Sequence, residues 1–367
     1  MGFMQDAQVI VLATPVFLLL IAIELLVGWR RGRPTYAWAD TLNSIGLGMA
    51  SQVVGVFTKL FTLGLYQWVF AHAALFELSP RSPWVWLGAL LAYDFLYYWL
   101  HRAGHTVALF WAAHVVHHQS EEYNLSTALR QTGSGWIASW LFYLPLAVVG
   151  VPSLVFAVVA LIDLLYQFWV HTRQIDRLGW FDRWFCAPSN HRVHHAVDDV
   201  YLDRNYGGIL IVWDRLFGSF QPELDAHPCH YGTRSPLRSW NPVWANLEVY
   251  AALWHDCRHA ARWGDKLRVW FKPPGWRPAD VAARLPKPAF VVGAIPRYAP
   301  AMSPARRHAA TALFVAAIGV TSLVLWNAHR LAPLPLAGAA ACVLLLLWLV
   351  GWVSEGGERV SLETRNA

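Results

Sequence analysis

The sequence predicts an all-α integral membrane protein, with several transmembrane helices and a cytosolic helical cap in which histidines gather. Three observations predict it. Hydrophobic residues make up 56% of the 367 residues and charged residues only 14%, whereas a soluble domain carries about a quarter charged residues. Several apolar runs approach the roughly 20 residues that a spanning helix needs. Nine of the 16 histidines fall into four groups at or just past the inner ends of those runs, or between them.

The 22 tryptophans suit bilayer interfaces, where a ring half apolar and half wet is at home. The formal charge of +6 reads as a topology signal. The basic residues are spread through loops and no basic recognition module occurs, so nucleic acid is excluded as a partner. Cys186, Cys229, Cys257 and Cys342 show no CxxC spacing, so they are expected to be free thiols in a reducing compartment. The N-terminus has no basic region ahead of its apolar run, and that run is long enough to span, so no cleavable signal peptide is expected.

Along the chain, Val9 to Trp29 is apolar apart from Glu24, and Arg30, Arg31 and Arg33 follow at once. The positive-inside rule keeps those arginines cytosolic and the N-terminus outside. Leu42 to Phe70, interrupted by glycines and Lys59, then crosses outward, and Trp84 to Leu100 crosses back. Trp136 to Val149 and Pro152 to Val170 form an apolar hairpin broken at Gly150-Val151-Pro152; each arm is short for a full span, which suits a tilted or a re-entrant pair. Residues 171–308 carry 19 of the 29 Lys and Arg, as a cytosolic face should. Ala309 to Trp326 and Leu334 to Trp352 form a closing hairpin, and the tail after Glu355 is expected to be mobile. The expected organisation is N-terminal transmembrane helices over 1–83, a catalytic unit over 84–220, a cytosolic basic segment over 221–308 and a C-terminal transmembrane hairpin and tail over 309–367.

The histidine groups are His101 with His105, His114 with His117 and His118, His171 alone, and His191 with His194 and His195. Residues three or four apart share a helix face, with Cβ atoms about 5–6 Å apart. His101 and His105 therefore project together, and the HxxHH unit at His114 is repeated at His191. Nine imidazoles are too many for one ion, since a structural zinc takes four ligands and a haem one or two axial ones. Imidazole suits iron as well as zinc and copper. A carboxylate-bridged iron pair needs Glu-x-x-His motifs, and none occurs. The expected site is thus a histidine-rich di-iron centre that activates oxygen, held by all nine rings. A lone histidine at a membrane end is usually an interfacial polar residue, but so many polar rings on one side of a bilayer are too costly for that reading.

At these residues the sequence resembles the fatty acid hydroxylase/sterol desaturase superfamily, and within it the alkylglycerol (glyceryl-ether) monooxygenases. The resemblance is carried by Asp94-Phe-Leu-Tyr-Tyr-Trp-Leu-His101-Arg-Ala-Gly-His105, by Trp111-Ala-Ala-His114-Val-Val-His117-His118 and by Pro188-Ser-Asn-His191-Arg-Val-His194-His195. Leu165 to His171 and Asn205 to Gly218 extend it. The stretch Glu121-Glu-Tyr-Asn124-Leu-Ser-Thr-Ala-Leu-Arg130-Gln131 favours the ether-lipid branch. The resemblance implies a membrane enzyme that uses O₂ and tetrahydrobiopterin, with two iron ions, to hydroxylate the carbon next to an ether oxygen. The hemiacetal product collapses to an aldehyde and a glycerol. The lipid would come from the bilayer and the pterin from the cytosol.

Four further residues are candidates near the site. Asp94, two helical turns before His101 on the same face, either orients an imidazole through its second N–H or is a buried acid paired with Arg or Tyr. Glu121 and Glu122 are candidates for the metal surround or the pterin, with Glu121 preferred on the family pattern; a solvated loop glutamate is the rival reading. Asn124 and Arg130 are candidates for substrate or pterin contact. Asp198 and Asp199 read as loop charges. His72 and His329 fall on the opposite membrane side, His308 at the interface, and His227 and His230 in a loop. His255 and His259 flank Cys257 on an expected exposed helix face. The rival functions are a fatty acid, sphingolipid, sterol or carotenoid hydroxylase or desaturase with another electron donor, and a non-catalytic metal-binding or haem-carrying membrane protein.

Overall fold

The computed structural model describes residues 5–356 except Ile295, so the expected tail beyond Glu355 lies almost wholly outside the described residues. Among these residues every regular element is a helix; β pairing is limited to two isolated bridges, Phe185 with Leu210 and Ala196 with Tyr231.

Four helices are long and apolar enough to cross a membrane. They are α1 (Gln5–Arg30), α2 (Trp38–Ala73), α13 (Pro304–Asn327) and α14 (Pro333–Ser354). The last two form the expected closing hairpin and pack against α2 through Ala50, Val53, Ala317, Ala340 and Val343. With 36 residues, α2 is about 54 Å long at 1.5 Å per residue, well over the roughly 30 Å hydrocarbon core. Its first turns therefore leave the apolar layer, and Asp40, Asn43 and Ser44 there are buried against the cap.

The chain between α2 and α13 holds the remaining helices. α3 (Pro83–Thr106) contains the expected run from Trp84 to Leu100 and continues past it, so that His101 and His105 ride on the same helix. α4 (Ala108–His118) follows after one extended residue, Val107. The expected apolar hairpin appears as α6 (Trp140–Val149) and α7 (Ser153–Trp169). Its first arm is shorter than expected: a 3-10 turn, Gly135–Ile137, occupies the start, and ten helical residues span about 15 Å, half a bilayer core. Gly150, at φ 101°, closes α6 in the left-handed conformation, and its N–H donates to the Leu146 and Ala147 carbonyls. A glycine is suited to that cap because a side chain there is strained. α3, α6 and α7 meet α2 around Tyr66, Tyr93, Tyr143, Val155 and Val159.

The cap is built from short helices: α5 (Leu125–Ala128), α8 (Pro188–His195), α9 (Val212–Leu216), α10 (Pro242–His259), α11 (Trp263–Phe271) and α12 (Ala279–Arg284). α10 starts on the Asn241 side chain, which accepts from the Val243 and Trp244 amides, satisfying two of the donors a helix start leaves open. The basic segment after Phe220 is joined to the histidine unit: Gln119 donates to the Ala245 carbonyl, and the Ala108 amide to the Lys272 carbonyl. His255 and His259 lie exposed in the last turn of α10, as expected. All four cysteines are free.

Arg130 locks α2 to the cap. It is 1% exposed, and its guanidinium donates to the Val116 carbonyl, Asn43 Oδ1, Ser44 Oγ and Gln119 Oε1 at 2.7–3.4 Å. Buried Asp40 supplies the nearby negative charge. Breaking such a buried charge pair costs about 3–5 kcal/mol because the partner charge is stranded. Arg130→Met is therefore expected to lower the thermal unfolding midpoint in detergent markedly, while Arg33→Met, whose ion pair with Asp176 is solvent-exposed, leaves it nearly unchanged.

Candidate metal centre

All nine predicted histidines come together at one end of the bundle. Potential ligand nitrogens of His101, His105, His114, His118 and His194 lie within 4.8 Å of one another, as do those of His117, His171, His191 and His195. Three helices and one helix end present them. α3 brings His101 and His105, α4 brings His114, His117 and His118, the turn just past α7 brings His171, and α8 brings the last three. Gly104 makes the first group possible: a Cβ there would stand 3.3 Å from the His114 ring, tighter than ordinary contact. In α8 the HxxHH spacing divides its rings, sending His194 to one group and His191 and His195 to the other.

Backbone carbonyls orient the rings. Nδ1 lies 2.8 Å from the Tyr206 carbonyl for His101, 2.9 Å from that of Arg130 for His117, 2.7 Å from that of Gln167 for His171, and 3.0 Å from that of Arg204 for His194. A carbonyl can only accept, so each Nδ1 carries the proton and each Nε2 turns a lone pair inward. His117 and His171 are both held this way, yet their Nε2 atoms are 3.1 Å apart. Two lone pairs that close repel unless a cation or a shared proton lies between them. The separation matches neighbouring nitrogens about 2.1 Å from one metal ion, which at a right angle stand about 3 Å apart. His101 with His114, His114 with His118, and His171 with His191 repeat the 3.1 Å spacing. Nε2 of His105, His194 and His195 is buried with no hydrogen-bond partner, an arrangement that native interiors rarely tolerate. The residues present thus fit two metal ions bound mainly by nitrogen, one in each group.

Burial pushes the basicity of these rings down. His117 is lowered to about 4, and His114, His118, His191, His194 and His195 lie well below the ordinary 6.5, with neighbouring imidazoles adding to the burial effect. The rings so lowered stay neutral, the form that binds metal.

The loop from Arg204 to Leu210, which supplies two of the orienting carbonyls, is pinned by two acids. Asp214, on α9, accepts from the Tyr206 and Gly207 amides and from Ser219 Oγ at 2.7–2.8 Å. Asp94 accepts from the Ile209 and Leu210 amides and from Trp213 Nε1 at 2.7–3.2 Å. So Asp94 neither bonds an imidazole nor pairs with Arg or Tyr; it acts on His101 one step removed, through the loop. Gly208 lets the loop approach: a Cβ there would meet Asp163 Oδ1 at 2.7 Å and Asp94 Oδ1 at 3.0 Å.

The other candidates are spoken for by the protein. Asn124 caps α5 and donates to the Thr35 carbonyl at 2.6 Å, and Arg130 commits four of its N–H groups as described. Glu121 accepts from the Tyr298 amide, and Glu122 pairs with Arg297. Neither glutamate is a free loop carboxylate. Asp198 bonds His230, and Asp199 pairs with Arg234. Sequence reasoning missed Asp214 and Asp163. It noted Glu24 only as an interruption, yet the Glu24 carboxylate accepts from Tyr36, Thr172 and the Leu125 amide, tying α1 to the chain beside His171. Its signal was present, since a lone acid in an apolar span calls for a partner.

An all-α membrane bundle capped by two facing histidine groups defines a protein of the fatty acid hydroxylase class, and that family's sequence profile matches residues 86–219. The chain is 40% identical to human alkylglycerol monooxygenase over 267 residues, 72% of this chain and 59% of the human protein. It is 36% identical to the zebrafish (Danio rerio) alkylglycerol monooxygenase over 350 residues, 94% of this chain and 77% of that protein. An ornithine lipid hydroxylase from Rhizobium tropici is 33% identical over 150 residues, 38% of this chain and 43% of its own length. No solved structure matches. The chain belongs to the alkylglycerol monooxygenase family.

Two predictions follow from the site. Asp214→Ala frees the Tyr206 and Gly207 amides and loosens the loop that orients His101; metal affinity, measured by chelator competition, should fall about 10–100-fold. For the metal-free protein, the unfolded chain binds protons at His117 near pH 6.5 while the folded one does so only near 4. Stability is then fully present above about 6.5 and is lost as pH falls toward 4, so the unfolding midpoint should drop across that window.

Proposed function

We propose that this protein is a di-iron lipid monooxygenase that cleaves the ether bond of alkylglycerols with O₂ and tetrahydrobiopterin. The observation that carries the reading is the division of nine imidazoles, eight of them buried, into groups of five and four, with lone pairs of carbonyl-held rings facing inward, in a chain of this family. His101, His105, His114, His118 and His194 would hold one iron, and His117, His171, His191 and His195 the other. When bound, the iron pair supplies the oxygen activation that a C–H bond demands.

The overall reaction balances with these parts. One oxygen atom enters the C–H bond next to the ether oxygen, and the other leaves as water with the two electrons and protons of the reduced pterin. The resulting hemiacetal breaks its C–O bond to give an aldehyde and a glycerol. The protein's share is to hold the rings, through the Tyr206, Arg130, Gln167 and Arg204 carbonyls, and to exclude water. Every ring but that of half-buried His114 is less than 9% exposed. The active site is proposed to face the cytosol, because Arg31 and Arg33 lie beside it, bonded to Gln174 and Asp176, as the positive-inside rule requires.

Detergent-purified protein should contain about two irons per chain by metal analysis, and turn over a monoalkylglycerol with reduced tetrahydrobiopterin. One metal, or turnover only of a free sterol or acyl lipid with another electron donor, would sink the ether-lipid reading. His117→Ala and His194→Ala should abolish activity and lower bound iron while the protein stays membrane-inserted, because the spanning helices associate through apolar packing.

A further inference from the structure

The second span carries a polar stripe that the metal centre does not use. Ser51, Gly55, Thr58, Lys59, Thr62 and Tyr66 recur every three or four residues, so they share one face of α2. Polar side chains inside a membrane span are costly and mark functional sites. The stripe lines a cavity of about 280 Å³, open on one side and closed by Thr132, Gly133 and Trp136 and by α6 and α7.

The two ends of the cavity differ. At the end near the cap stand Ser51, Gln52, Thr132 and Gly133; at the other stand the aromatic rings of Tyr66, Tyr143 and Phe156. Ser51 and Tyr66 are fifteen residues apart, about 22 Å along the helix. The polar end is linked through the chain to a segment that orients a ring of the centre. Thr132 is two residues beyond Arg130, whose carbonyl orients His117, and Ser51 Oγ donates to the Thr132 carbonyl at 2.7 Å.

The hydroxyls have already committed their hydrogens. Thr58 Oγ1 donates to the Val54 carbonyl at 3.3 Å, and Thr62 Oγ1 to the Lys59 carbonyl at 3.2 Å. What they retain are oxygen lone pairs. Gln52 lines the cavity with a side-chain amide that has no hydrogen-bond partner among the described residues. With Lys59 and the Gln52 amide also in the lining, the cavity offers both donors and acceptors, and, hydroxyl- and amide-bearing at one end and aromatic at the other, it suits an amphiphile with a hydroxyl-bearing head.

We infer that this cavity is the binding site for the hydroxyl-bearing head and adjoining chain of a single-chain lipid, with the head beside Ser51, Gln52 and Thr132 and the chain running toward Tyr66 and Phe156. The inference rests on the proposed function for its choice of lipid, a monoalkylglycerol, and supplies the site where that lipid docks. A volume just under the roughly 300–1,000 Å³ of small-molecule pockets takes the head and the first part of the chain and leaves the rest in the bilayer.

The test is photolabelling of the full iron-loaded chain in nanodiscs with a monoalkylglycerol that carries a diazirine next to its head. Label is expected on peptides covering residues 51–66 and 132–144. Plain monoalkylglycerol should compete it away, and a fatty acid methyl ester of equal length, which has no hydroxyl, should not. Gln52→Leu, apolar and of matching size, should raise KM about fivefold, the effect of about one lost hydrogen bond, with bound iron unchanged. Label confined to other helices, equal competition by the ester, or an unchanged KM would overturn the inference. Label in the cavity without ether cleavage would remove the proposed reaction and leave the site standing; ether cleavage with label elsewhere would do the reverse.

Discussion

The structure depends on the confrontation of imidazole lone pairs. His117 and His171 turn their Nε2 atoms to within 3.1 Å because the Arg130 and Gln167 carbonyls hold their Nδ1 protons on the far side. A folded chain gains nothing from such an arrangement by itself. It is repulsive, it buries polar nitrogens without partners, and it keeps neutral rings from taking protons at ordinary pH. A pair of cations, as proposed, would relieve all three costs at once, which would make the cap a container whose internal strain is released by its contents.

Holding the container shut is the task of groups that never approach a metal. Asp214 and Asp94 pin the loop that carries the Arg204 and Tyr206 carbonyls. Arg130 ties α4 to the first turns of α2, and Glu24 ties α1 to the chain on either side of α5 and His171. Two of the spanning helices, α1 and α2, thus each send a charged or amide side chain into the cap. The length of α2 follows from the same need. A helix that ended at the bilayer surface would leave Arg130 without Asn43 and Ser44.

The sequence and the structure agree most closely where spacing is enough to decide. Helical spacing placed His101 with His105 and paired the two HxxHH units, and the apolar runs marked α1, α2, α13 and α14. They part company where hydrogen-bond partners come from distant chain segments. Asp94 shares a helix face with His101, which suggested an imidazole partner, but the Ile209 and Leu210 amides reach it first. Asn124 and Arg130 look like ligand-contacting polar residues in a motif, yet their burial is satisfied by Thr35 and by α2 and α4. The division of nine histidines into five and four was not legible either, because adjacent rings such as His117 and His118 go to different groups.

By itself the sequence determined the membrane class, the helical periodicity and the set of nine histidines, because all three are properties of local composition and spacing. Tertiary structure alone decided which ring joins which group, which carbonyl orients it, and that the polar stripe of α2 faces a cavity closed by α6 and α7. Those are contacts between segments as far apart as Asn43 and Arg130 or His101 and Tyr206. No pattern along the chain encodes them; they exist only once apolar packing has set the helices side by side.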